Sequence, residues 1–145
     1  MKKLLLTASV GLALFSMGGQ AIGACAGPSV RVNLVTDMNT LLTGNTVCSP
    51  AVTQATMTWQ ELHQAGGDLV DYKRGPPPAE KVDPSEKVGT WSVTGAGGAR
   101  ALVTHNYGSG GSYAFSVWNN GDGTHSFCSV RPEIIAKVKL GGGAC

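Results

Sequence analysis

SYAFSVWNNGDGTHSFC, residues 112–128, decides how the chain folds. Two runs of alternating apolar and polar residues flank NNGDGT. Asn and Gly supply the positive φ that a hairpin turn requires. A calcium loop would need six to eight oxygens, mostly from several carboxylates, and this one offers only Asp122 beside Asn119 and Asn120. The stretch reads as a hairpin turn between two half-buried strands.

The same pattern repeats upstream. VGTWSVT (88–94), RALVTHNY (100–107), SYAFSVW (112–118) and THSFC (124–128) are separated by GAGGA, GSGG and NNGDG. Centring each turn sets Trp91 opposite Val103, His105 opposite Phe115, and Phe115 opposite Phe127. One face then collects Trp91, Val93, Ala101, Val103, His105, Tyr107, Tyr113, Phe115, Val117, His125 and Phe127. The other holds Ser92, Thr104, Asn106, Ala114, Ser116, Thr124 and Ser126. Side chains alternate with period two, so a slip by one residue would destroy this agreement. The segment predicts a four-stranded antiparallel meander with one buried face.

Earlier segments add strands at VRVNLV (30–35), NTVC (45–48), TMTWQELH (56–63) and DLVDYK (68–73), the last two joined by QAGG. TDMNTLLTG (36–44) suits one short helix, with Thr36 or Asp37 as N-cap and Gly44 as stop. RGPPPAEKVDPSEK (74–87) carries prolines that cannot donate to a ladder and reads as a stiff polar loop, partly polyproline II. RPEIIAKVKLGGGAC (131–145) fits a short helix from Pro132 or a strand through Ile134, Ala136, Val138 and Leu140; the alternation favours the strand. The total is an all-β domain of about seven or eight strands with at most one short helix. A meander of that length closes into a barrel that removes its edges, its interior filled by side chains or holding one small ligand.

The N-terminus has the layout of a secretory signal: Lys2 and Lys3, an apolar run from Leu4 to Met17, then small residues. Cleavage after Gly23 or Ala24 suits a signal peptidase, so residues 1–24 are read as the signal and 25–145 as a single domain. The apolar run is too short for a transmembrane span. The chain has 11 Lys and Arg against 9 Asp and Glu, and loss of Lys2 and Lys3 brings the two counts level. A polyanion binder carries a basic patch, so nucleic acid is not an expected partner.

Cys25, Cys48, Cys128 and Cys145 form an even set, which in an exported protein reads as two disulfides. Cys25–Cys48 and Cys128–Cys145 would pin the two chain ends locally. Zinc is not favoured, because no CxxC is present and no cysteine lies near a histidine pair. Ile22-Gly23-Ala24-Cys25 resembles a lipobox, which would make Cys25 a lipid anchor to the outer membrane; the even cysteine count argues instead for a periplasmic or secreted protein.

LLTGNTV (41–47), Trp59-Gln60-Glu61, GTWSV (89–93) and an aromatic hairpin ending in Phe127-Cys128 resemble small exported bacterial calycin-like β-barrels, a group that includes lipocalins, avidins and a periplasmic metalloprotease inhibitor. The resemblance implies a barrel with a binding role and carries over no site residues.

Catalytic signals are absent from the sequence. There is no GxSxG, and no Gly-rich loop leads into a helix. Glu61 and Asp71 would face each other across the 56–73 hairpin, as a glycosidase pair must, but hairpin charges are ordinarily solvated. Of His63, His105 and His125, the last two share a face but fall two strands apart, roughly 12 Å, too far for one metal. No catalytic residue, metal or cofactor is therefore expected. The reading is an exported, non-catalytic binding protein, with Trp91, Tyr107, Tyr113 and Phe115 as the wall for a small apolar or aromatic ligand. The alternatives are an inhibitor or envelope accessory factor acting through its loops, and, least favoured, a hydrolase.

Overall fold

The computed structural model describes residues 25–49, 59–72, 85–129 and 133–145. Residues 1–24, read above as a signal, the start of the strand read over 56–63, and most of the proline loop, 73–84, lie outside them. Among the described residues nine strands occur in chain order with one α-helix: β1 (Val30–Arg31), α1 (Val35–Leu42), β2 (Thr46–Ser49), β3 (Trp59–His63), β4 (Asp68–Asp71), β5 (Glu86–Thr94), β6 (Leu102–Asn106), β7 (Ser112–Asn119), β8 (His125–Cys128) and β9 (Ile134–Lys139). Every pairing is antiparallel. The ladder runs β7-β6-β5-β4-β3-β2-β9-β8 and closes through β8 on β7, an eight-stranded barrel, while β1 adds a short rung on β7. Closure leaves no open edge, as expected for a meander of this length.

The predicted face is the one that turns inward. Val103, Val117 and Phe127 are fully buried, and Trp91 and Phe115 nearly so. The register differs from the centred-turn expectation by two residues at each hairpin. Trp91 faces His105, Val103 faces Phe115, and Phe127 faces Val117. A shift of two preserves the facing of every side chain, which is why the buried set survives the correction.

Three segment bounds also differ. The strand expected over 30–35 stops at Arg31. Asn33 is drawn away to the β5–β6 connection, where its side-chain oxygen accepts from Arg100 N (3.0 Å) and its carbonyl from Ala101 N (2.9 Å). The helix starts at Val35 behind Leu34, so Thr36 and Asp37 lie in its first turn instead of capping it. Asp37 there complements the helix dipole. β5 begins at Glu86, inside the stretch expected to be loop. The last segment is a strand, β9, as its alternation favoured.

α1 covers one end of the barrel. Met38 and Leu42, one turn apart, are fully buried in the core, and Val35 packs on Gly95 of the β5–β6 connection. β2, β4 and β8 run toward the opposite end, where the described chain breaks after Ser49, Tyr72 and Ser129.

The disulfide pairing corrects the local one expected. Cys25 bonds Cys128 and Cys48 bonds Cys145, across 103 and 97 residues. The barrel brings chain ends beside strands from mid-sequence, which spacing alone cannot show. With Cys25 Sγ in a disulfide, no thiol remains there for lipidation. The second bond straps the C-terminus over the outside of β2 and β3. Thr46 Oγ1 donates to Gly143 O at 2.9 Å, Cys145 N donates to Gln60 Oε1 at 2.7 Å, and Gly142 lies on Leu62. Thr46, Cys48, Gln60 and Leu62 are therefore buried although they point out of the barrel.

Candidate functional site

The NNGDGT loop behaves as a turn. Asn119 Oδ1 accepts from Gly121 N at 2.8 Å, and Gly121 and Gly123 take φ of 81° and 85°. Asp122 Oδ1 accepts from both Thr124 N (2.9 Å) and Thr124 Oγ1 (2.6 Å), and those bonds hold the exposed Asp122 carboxyl below its ordinary range.

A denser arrangement of chemistry lies inside the barrel. β3 turns Trp59, Glu61 and His63 inward, since alternate residues share a face. Glu61 pairs in register with Asp71 of β4, as the sequence suggested. The expected solvation of this pair is overturned: Glu61 is 3% exposed and Asp71 9%. β6 turns His105 inward, with Tyr107 just beyond its end. The Tyr107 hydroxyl lies 2.9 Å from both oxygens of Glu61 and 3.4 Å from His105 Nδ1. His105 Nδ1 lies 3.7 Å from Glu61 Oε2. On its other side His105 Nε2 meets His63 Nε2 at 3.0 Å. Glu61, Tyr107, His105 and His63 thus form one buried polar chain.

Burial sets the electrostatics. It lowers His105 to about 4. It lowers His63 to about 3, assisted by the neighbouring His105, against the hydrogen bond that its ring gives to the Glu61 carbonyl. Both imidazoles are neutral at pH 7. Burial and the adjacent Glu61 charge raise Tyr107 well above its ordinary value, so the phenol keeps its proton.

Aromatic rings enclose this chain. Trp91 meets His63 edge-on at 5.0 Å and donates its indole N–H to Gln64 O at 2.9 Å. Phe115 packs against His105 at 5.4 Å and Phe127 at 6.2 Å, and Trp59 against His105 at 5.8 Å. The four residues expected to form a ligand wall therefore divide. Trp91 and Phe115 are packed into the core. Tyr107 and Tyr113, 6.0 Å apart, stand toward the end away from α1, Tyr113 49% exposed with its hydroxyl donating to Gly110 O. Two open grooves among the described residues, of about 390 and 420 Å³, lie at the α1 end and along β5–β6. Tyr107 lines the second; neither is lined by Trp91, Tyr113, Phe115, His63 or His105.

Sequence reasoning considered His105 with His125 and missed His63 with His105. The available signal was parity: Glu61 and His63 share a face two residues apart, so a buried Glu61 implies a buried His63. Cys25, Cys128 and Glu133 also gather closely, but both sulfurs are spent in the disulfide. No family model matches the chain, and no curated protein or solved structure matches it.

Proposed function

We propose that the protein is an exported, non-catalytic binding protein that engages a partner through the Tyr107–Tyr113 end of its barrel, the interior serving as packed support. The observation that carries this reading is the ring packing inside the barrel. Trp59, His105, Phe115 and Phe127 occupy the middle of the barrel in mutual ring contact. A ligand-holding site is normally a cavity of roughly 300 Å³ or more. Interlocked rings at this spacing supply rigidity instead. The two disulfides and the signal-like N-terminus support export, because such bonds persist in oxidising compartments. The non-catalytic reading is supported by burial: His63 and His105 are fully buried and Glu61 is 3% exposed, which withholds them from a substrate.

Native mass spectrometry of the protein from its own host, combined with a photo-crosslinking side chain at position 113, tests the proposal. The expected result is a two-disulfide chain without a retained small molecule and with a partner captured at 113. A stoichiometric small molecule held in the barrel would overturn the packed-support reading. Substrate hydrolysis abolished by Glu61→Gln would overturn the non-catalytic one.

A further inference from the structure

The neighbours of the His63–His105 contact fix where its protons sit. His63 Nδ1 lies 3.3 Å from the Glu61 backbone oxygen. A carbonyl only accepts, so His63 Nδ1 carries the hydrogen and its Nε2, in the neutral ring, is an acceptor. His105 Nε2 then donates across the 3.0 Å contact. His105 Nδ1 is left bare, facing the Tyr107 hydroxyl at 3.4 Å and Glu61 Oε2 at 3.7 Å.

This polarity makes the next two protons unequal. A first added proton belongs on His105 Nδ1, where it faces the Glu61 carboxylate and leaves the histidine contact intact. A second belongs on His63 Nε2, where it would point at the N–H of an already cationic ring. Two donors on two cations cannot remain 3.0 Å apart in a buried site. His63 is also the residue that fastens the α1–β2 junction: Gly44 N donates to His63 O at 2.7 Å, and His63 N donates to Asn45 O at 3.0 Å.

We propose that the His63–His105 pair is a two-stage acid latch, in which one proton is taken up with the barrel closed and a second, on His63, releases the α1 end. Release would expose the buried apolar side of α1, Met38 and Leu42, making an acidified compartment the setting in which the protein changes surface. The titratable groups facing the pair among the described residues are Glu61 on β3, Asp71 on β4, Tyr107 after β6, and Tyr113 on β7 behind Tyr107. β5 and β7 otherwise present Trp91 and Phe115 to the two rings, and the one charge on α1, Asp37, is exposed. Burial orders the two steps in the same sense, with His105 near 4 and His63 near 3.

Nitrogen-15 NMR of the imidazoles, followed with α1 amide exchange as the disulfide-intact protein is acidified, tests the latch. Expected are an Nδ1–H tautomer on His63 and an Nε2–H tautomer on His105 at pH 7, His105 titrating first, and α1 protection lost only with the His63 step. In His63→Phe, α1 should stay protected at the pH where the wild type opens. The reverse tautomers, His63 titrating first, α1 opening with the first proton, or unchanged opening in His63→Phe would each overturn the proposal. If His63→Phe does not fold, the coincidence of His63 titration and α1 opening in the wild type decides.

Discussion

Tyr107 concentrates the energetics of the interior, because its hydroxyl serves a buried carboxylate. Tyr107→Phe keeps the ring and removes the donor to Glu61. A hydrogen bond to a charged group contributes about 1.5–3 kcal/mol, so chemical denaturation should show a loss of that size. Tyr113→Phe removes a hydroxyl bonded only to the exposed carbonyl of Gly110 and should change stability by less than about 0.5 kcal/mol. Equal losses in the two variants would contradict the buried network. The histidines give the pH dependence its sign. Their ordinary value is 6.5, and in the folded protein they fall to about 3 and about 4. The unfolded chain therefore binds protons that the folded one refuses, and stability should decline as pH falls from 6.5 through 4 toward 3. Tyr107 acts oppositely: its raised value means the unfolded chain loses that proton first, so stability should also decline above roughly pH 10. Urea midpoints measured from pH 3 to 11 should trace a dome, and a flat profile below pH 6.5 would refute neutral buried imidazoles. This network was only partly legible in the sequence. Trp91 and Phe115 declared themselves by lying in alternating apolar strands. Glu61 and His63 did not, because their face of β3 is polar and only the closed barrel makes it an interior face.

At the scale of elements, alternation fixed which side chains turn inward, while turn chemistry set where each strand pairs. The three hairpins of the meander each displace the pairing by an even step. Asn106 Oδ1 accepts from Gly108 N at 2.9 Å and starts the β6–β7 turn early. The β5–β6 connection is instead drawn toward Asn33, with Arg100 at φ 53°. That tie joins residues 67 apart, so no local pattern announces it. Gly89 marks another such constraint. β5 pairs with β4 through a register shift at Leu69/Val70, and this brings Asn106 O against the position a Gly89 side chain would occupy. A Cβ there collides with backbone on the neighbouring strand, which cannot rotate away as a side chain can. Gly89→Ala should therefore cost about 1–3 kcal/mol, in the range of overpacking. Gly66→Ala, on the β3–β4 turn where an added Cβ meets open space, is its control and should lower the midpoint far less. A Gly89→Ala protein as stable as Gly66→Ala would mean that β5 is not held against β6 in this register.

At the scale of the molecule, the disulfides join what the barrel closure brings together. Spacing favoured local bridges near each terminus; the closed ladder instead places β2 between β3 and β9, so the C-terminal tail that follows β9 returns to Cys48. Non-reducing peptide mapping should recover Cys25–Cys128 and Cys48–Cys145, and a Cys25–Cys48 peptide would refute the closure that this pairing requires. The Cys48–Cys145 bridge closes a loop of 97 residues. A loop near that length restrains the unfolded chain by about 4–5 kcal/mol in the chain-entropy account, and its loss commonly costs about 2–5 kcal/mol. Replacing both cysteines by alanine should cost that amount and also loosen the tail, which is otherwise tied by hydrogen bonds with Asn45, Thr46, Gln60 and Lys139. The two consequences are separable. The entropic part lowers the stability of the whole barrel evenly, whereas release of the strap exposes only the outer face of β2 and β3. Hydrogen exchange in the double-alanine variant should thus show global protection reduced throughout, with an added local loss at the Cys145 amide and around Thr46, Gln60 and Leu62. Uniform loss alone would mean that the tail keeps its place without the bond, and that the buried outer face is maintained by the hydrogen bonds and by Gly142 packing on Leu62.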